Sequence, residues 1–100
     1  MLLRELAHAR SGDKGATSDI SVVAFDAAAY DRLQDQLSAD RVREFFPDLP
    51  ISAVDRYELP QLHALKFVLH GALGGGVTRT LNLDAHGKSL SSCLLAIHID

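Results

Sequence analysis

The sequence predicts an α+β fold: a ferredoxin-like sandwich in which a mainly antiparallel sheet of about five strands carries two or three helices on one face. Segments whose apolar residues alternate with a period of two are interspersed with segments of helical period. Most connections between these segments are short, which favours antiparallel pairing. The 100 residues contain no repeat, linker or low-complexity tract, so we expect one domain over residues 1–100.

The amino-terminal part is expected to contain two strands joined by a polar loop. Residues 2–8 alternate weakly, as in a first strand. Residues 9–16 are rich in Gly, Ser and Asp, which is typical of a loop. Residues 18–25 are the clearest strand, and apolar residues fall on both of its faces. We therefore expect a central strand that is covered on both sides.

Two helices are expected next. Asp26 is a suitable N-cap for a helix that begins at Ala27, since its carboxylate can accept from free amides of the first turn. Ser38 is expected to cap a second, shorter helix, which Pro47 ends. By the faces they occupy, the aromatic residues are all expected in the core: Phe25, Tyr30, Phe45, Phe46, Tyr57 and Phe67.

The remaining elements are expected to complete the sheet and its helical layer. Residues 51–59 and 65–70 alternate as strands do. Residues 77–83 are expected to pair with 65–70 as a hairpin whose long tip, residues 71–76, is rich in glycine. Residues 90–97 have apolar positions at i, i+3, i+4 and i+7, which predicts a helix that packs on the sheet.

Composition excludes several classes of function. Ten Lys plus Arg against 13 Asp plus Glu give a net charge of −3, so we expect neither nucleic acid nor an anionic membrane as a partner. The single cysteine, Cys93, rules out an internal disulfide and a multi-cysteine metal site. No apolar run approaches the roughly 20 residues that cross a bilayer. Since the start also lacks a basic leader, we expect a cytoplasmic protein.

The densest group of chemically active residues lies at positions 8–15. Glycines let successive backbone amides converge on an anion. Lys14 would add a point charge and Arg10 a bidentate fork. The candidate ligand-binding residues are therefore His8, Arg10, Ser11, Gly12, Asp13, Lys14 and Gly15. The alternative is a solvated loop in which Asp13 neutralises Lys14 or Arg10.

A second candidate segment follows the strand at 65–70. A ligand or partner edge there would use His70, Gly74, Gly75, Gly76 and Arg79. The alternative is a flexible hairpin tip. His8 and His70 each lie at a predicted strand end beside a glycine-rich loop, so they could meet and supply a general base. No pair of histidines has the helical spacing of a zinc motif, and we expect no metal and no cofactor. The sequence identifies no catalytic residues.

Three separated blocks, residues 6–15, 56–60 and 67–76, together resemble the AtuA-like ferredoxin-fold domain. The likeness covers nearly the whole sequence, including residues 81–88. In that family the domain often forms the C-terminal part of AtuA-type acyclic terpene utilisation proteins, and it also occurs as a short separate chain. The resemblance implies a link to bacterial breakdown of acyclic terpenes, alongside acyl-CoA carboxylases and hydratases. It transfers no catalytic residue set to this chain.

Two hypotheses follow from the sequence. In the first, the chain is an accessory subunit without activity of its own, and its SGDKG loop contributes to an anion-binding or shared site with a separate AtuA-type large protein. In the second, it is a self-contained, homo-oligomeric enzyme or sensor for an anionic, CoA-ester-like ligand. His8, Lys14 and Arg79 would then bind the anion, with His8 or His70 as the base. A chain of this size leaves little room for a pocket, so that site would lie between subunits.

Overall fold

The computed structural model of the protein describes residues 1–73 and 90–100. This part contains one 3₁₀ turn near the amino terminus, Leu3–Glu5, and a second one, Pro60–Leu62, between two strands. The strands and α-helices follow one another in the order β1 Ala7–Lys14, β2 Thr17–Ala24, α1 Ala27–Gln36, α2 Ala39–Phe45, β3 Ala53–Leu59, β4 Ala64–His70 and α3 Leu90–Leu94.

The four described strands form one antiparallel sheet in the order β1-β2-β4-β3. With the helices packed on it, this sheet confirms the predicted α+β, ferredoxin-like class. β4 is paired along one edge with β2 and along the other with β3, so it has no free edge for the hairpin partner expected at residues 77–83. Residues 77–83 themselves lie outside the described part of the chain.

The first strand is shifted relative to its prediction. Residues 2–8 were expected to form it, but Leu3–Glu5 is a 3₁₀ turn and β1 runs from Ala7 to Lys14. Leu3 is fully buried and its amide donates to the Ile97 carbonyl at 2.9 Å. The apolar residues of this segment therefore anchor the chain start to the carboxyl-terminal segment, and they do not alternate across a strand.

Side chains alternate in direction along each strand, and this divides the sheet into two faces. The inward positions of the central strands are buried, as Ile20, Val22, Leu65 and Phe67 show. Helical residues that belong to the same core cluster cover them: Ala29, Tyr30, Leu33, Val42, Leu90 and Leu94. We call the other side the open face. It comprises the even positions of β1 and β4 and the odd positions of β2 and β3.

The open face has no described helix on it. Its side chains are half-buried or exposed, apart from the small residue Ala64. Residues 18–25 were expected to form a strand that is covered on both sides. Among the described residues, helices cover only one of those sides. Two aromatic residues predicted to be core, Phe25 and Tyr57, are 60% and 51% exposed. That prediction was wrong because both side chains lie at the open side of the sheet.

Both helix caps form as predicted. The Asp26 carboxylate accepts from the Ala29 amide at 2.8 Å. The Ser38 hydroxyl accepts from the Arg41 amide at 3.1 Å, and α2 ends at Phe45, two residues before Pro47. These local signals determine where α1 and α2 begin. Nothing in the described part of the chain is a helix long and apolar enough to span a bilayer.

Candidate functional site

The segment with the densest chemistry is a β-hairpin rather than a loop. β1 continues through Ser11, Gly12, Asp13 and Lys14, which pair with Ile20, Asp19, Ser18 and Thr17 of β2. Only Gly15 and Ala16 remain as the turn, and Gly15 adopts φ +61°. The prediction of a loop over residues 9–16 was therefore wrong. Pairing with the apolar strand β2 outweighs a composition that, taken alone, favours turns.

Strand geometry separates the candidate residues into two sets. Side chains at even positions of β1, which include Arg10 and Lys14, lie on the open face. Asp13 has the opposite parity and lies on the helix-covered side. No salt bridge joins Asp13 to Arg10 or Lys14 among the residues that the structure describes. The described geometry therefore gives no support to the alternative in which Asp13 neutralises either cation.

Gly12 has a specific steric role in the hairpin. A Cβ atom placed there would lie 3.2 Å from Asp19 Oδ1. Gly12 thus leaves room for the Asp19 side chain beside it on the open face. Gly12 itself presents no side chain to the open face, and the Asp19 carboxylate lies against it.

Serine hydroxyls connect the hairpin to α3 and join its two strands. The Ser11 hydroxyl donates to Ser91 Oγ at 2.8 Å and accepts from the Ser91 amide at 3.1 Å. Ser18 donates to the Gly12 carbonyl at 3.1 Å. Ser18 and Ser91 are each only 3% exposed. Ser11 was predicted to lie in an anion-binding loop. Its inward position on an otherwise apolar face could have indicated a structural contact instead.

The two glycine-containing candidate segments meet at the same end of the sheet. The Leu73 amide donates to the Ala16 carbonyl at 3.0 Å, which brings residues 71–73 against the hairpin turn. Gly71 adopts φ +81°, and a Cβ atom there would lie 2.9 Å from the Pro50 carbonyl oxygen. Of the second candidate set, Gly74, Gly75, Gly76 and Arg79 lie outside the described residues.

His70 makes a contact that sequence reasoning missed. Its Nε2 atom lies 2.7 Å from Asp55 Oδ2 on the open face, and both side chains are about half exposed. The register pairs Ala53 with His70, so Asp55 is the next residue of β3 on this face. Asp55 interrupts the apolar alternation of its strand, and this was the signal that could have identified the pair. The carboxylate orients the imidazole.

His8 lies at the opposite end of the sheet from His70. It pairs with Val23, which in turn pairs with Ala64 at the start of β4, six positions before His70. At about 3.3 Å per residue the two histidines are therefore roughly 20 Å apart. The expectation that they could meet was wrong. The His8 ring stacks on Phe25 instead, with centroids 6.1 Å apart.

The end of the sheet that carries the hairpin turn is the candidate site, and we call it the hairpin end. It combines the Lys14 ammonium group, the His70–Asp55 pair, the Gly15–Ala16 turn and the incoming segment 71–73. Lys14 offers a positive charge for an anion, and the carboxylates of Asp19 and Asp55 lie in the neighbouring row of the same face. No group of three or more metal-ligating side chains occurs within residues 1–73 and 90–100.

Three clefts on the described surface lie away from the hairpin end. Their volumes are about 250, 270 and 480 Å³. The largest of them is lined by Arg4, Phe45, Ser92, Cys93 and Ala96.

Comparison with known proteins gives a family for the whole chain. A model of the AtuA ferredoxin-like domain matches residues 1–100. No curated protein and no solved structure matches the chain.

Proposed function

Because the chain belongs to the AtuA ferredoxin-like domain family, we propose that it is an accessory subunit that acts with a separate AtuA-type large protein in the cytoplasm. Its role lies in bacterial catabolism of acyclic terpenes or related acyl-CoA compounds. The hairpin end contributes to an anion-binding site shared with that protein. The chain has no activity of its own.

One observation carries this proposal. The two candidate segments predicted from the sequence, residues 8–15 and the strand that ends at His70, converge at the hairpin end through the Leu73–Ala16 hydrogen bond of 3.0 Å. The groups gathered there are exposed or half-buried, so they present chemistry on a surface without enclosing a substrate. Such an incomplete site favours a function in which a partner supplies the remaining wall.

The first test is reconstitution with an AtuA-type large protein from the same genome. Titration calorimetry of the two purified proteins should show a one-to-one complex. Lys14→Ala, which removes the cation at the hairpin end, should weaken the complex or its affinity for phosphate and CoA by about 10-fold. Arg4→Ala removes an exposed cation elsewhere and serves as the matched control. Lack of association at micromolar concentrations would contradict the proposal.

The His70–Asp55 pair favours a second candidate function. A carboxylate 2.7 Å from an imidazole orients the ring as in general-base sites. In this alternative the chain is a self-contained, homo-oligomeric enzyme or sensor that binds an anionic, CoA-ester-like ligand. Titration of the chain alone with CoA, acetyl-CoA and phosphate, followed by NMR of the His70 ring, tests it. Unchanged ring resonances with all three compounds would count against it.

A further inference from the structure

We propose that the open face is the self-complementary interface of a two-fold symmetric dimer, and that its occupant is a second copy of this chain. This inference is independent of the proposed function, because it rests on the charges and shape of the open face. It is also tested without any ligand or large protein.

Charged residues on the open face are arranged in two adjacent rows that cross the strands. The cationic row contains Arg10, Ser21, Lys66 and Tyr57, which pair with one another in that order across the sheet. The acidic row contains Gly12, Asp19, Val68 and Asp55, paired likewise. The rows are about 7 Å apart, since each strand advances two residues between them.

The charged residues of these rows lack partners within the described molecule, apart from Asp55. Salt bridges of the described residues join Arg56 to Glu58, His70 to Asp55 and His98 to Asp100. None of them uses Arg10, Lys66 or Asp19. Lys66 and Asp19 are nevertheless half-buried, so partial desolvation of these charges is not offset by a described ion pair. A complementary surface would offset it.

A second copy supplies that surface if a two-fold axis runs across the strands, in the interface plane, between the two rows. The rotation keeps the strand order and places the cationic row of each copy over the acidic row of the other. Lys66 then faces Val68 of the second copy, between Asp19 and Asp55 of that copy. Arg10 faces the gap left by Gly12, beside Asp19.

The flanking rows are also compatible with this arrangement. The same rotation brings Thr17 over Val23 of the second copy, Ala53 over Leu59, His70 over Ala64 and Lys14 over His8. In the first three pairs a small residue faces a larger one, as in packed sheets, and the fourth pair sets two basic side chains at the edge of the interface. The Leu59 side chain is 39% exposed in the single chain, so burial against a second copy removes apolar surface from water.

The size of the face is at the lower end for a specific interface. Four strands at about 4.8 Å and seven residues at about 3.3 Å give a plane of roughly 19 by 23 Å. Because protruding side chains make the surface uneven, the accessible area of the open face exceeds that of the flat plane. It approaches the roughly 600 Å² per partner at the lower end of specific interfaces. We therefore expect a dimer that dissociates in the micromolar range. Lys14 and His70 lie in the row that faces His8 and Ala64 of the second copy, so the dimer covers this part of the hairpin end and would compete there with the large protein. Asp13 and the Gly15–Ala16 turn lie outside the facing rows and remain accessible.

Sedimentation velocity of the full chain over a concentration series tests the dimer. Lys66→Glu alone puts a carboxylate beside Asp19 and Asp55 of the second copy, and Asp19→Lys alone puts an ammonium group beside Lys66 and Arg10. Each variant therefore creates four like-charge contacts per dimer and should raise the dissociation constant by about 10-fold or more. An equimolar mixture of the two variants restores opposite charges at both contacts between positions 66 and 19, so it should form a heterodimer that is tighter than either variant's homodimer.

Matched charge reversals elsewhere control for net charge. Asp31→Lys and Arg4→Glu change exposed residues away from the open face and should leave the dissociation constant unchanged. Circular dichroism of each variant shows whether it folds. A wild-type chain that stays monomeric at several hundred micromolar, single reversals without effect, or a mixture that does not associate would each overturn the proposal.

Discussion

At the residue scale, the two described glycines with positive φ are required for different reasons. Gly15 needs the left-handed conformation that closes the β1–β2 turn, and no atom lies within 4 Å of where its Cβ would be. Gly71 needs the same region of conformational space and in addition approaches the Pro50 carbonyl oxygen, 2.9 Å from a Cβ position. The second requirement is steric and cannot be relieved by rotation of a side chain.

A pair of alanine variants separates these two effects. Gly15→Ala should lower the free energy of unfolding by about 1 kcal/mol, the cost of a left-handed alanine. Gly71→Ala should lower it by about 2–4 kcal/mol, because backbone must also move away from the new Cβ. Urea unfolding of both variants measures the difference. Equal losses would show that the close approach to Pro50 has no energetic consequence.

The Ser11–Ser91 contact gives a second prediction at this scale. Ser11→Ala removes the acceptor of the buried Ser91 amide and should cost about 1–2 kcal/mol of unfolding free energy. Ser21→Ala, a serine on the half-buried open face, should change it by about 0.5 kcal/mol or less. If both variants lose the same unfolding free energy in urea, the contact between Ser11 and α3 does not stabilise the fold.

At the scale of the elements, signals carried within one helix turn were predictable. Asp26 and Ser38 cap α1 and α2 because each side chain needs only the amide three residues later. The stretch 9–16 was not predictable in this way, since its strand conformation depends on pairing with β2. The exposure of Phe25 and Tyr57 likewise depends on which face the helices cover, and alternation alone does not specify that.

The cap of α1 provides the prediction for this scale. Asp26→Ala should lower the free energy of unfolding by about 1 kcal/mol, because the Ala29 amide loses its acceptor. Asp31→Ala, at an exposed position within α1, should have no cost, since alanine favours helix. Thermal unfolding followed by circular dichroism compares the two. A cost at position 31 equal to that at 26 would contradict a capping role.

At the scale of the whole molecule, the two ends of the sheet differ in chemistry. The hairpin end carries Lys14, the His70–Asp55 pair and the converging segment at Leu73. The other end exposes apolar side chains, with Phe25 at 60% and Leu62 at 66%. The fold class could be predicted from the sequence, and the role of residues 8–15 stays a prediction. The convergence at the hairpin end could not, because it depends on the sheet order β1-β2-β4-β3.

The most direct measurement is affinity capture of the tagged chain from its own cells, with the co-purifying proteins identified and quantified by mass spectrometry. The proposed function predicts an AtuA-type large protein in stoichiometric amount. It also predicts that capture through the Lys14→Ala chain recovers less of that protein than capture through the Arg4→Ala chain. Recovery of the chain alone, or only with copies of itself, would contradict the accessory role and leave the self-contained binding module as the function to test.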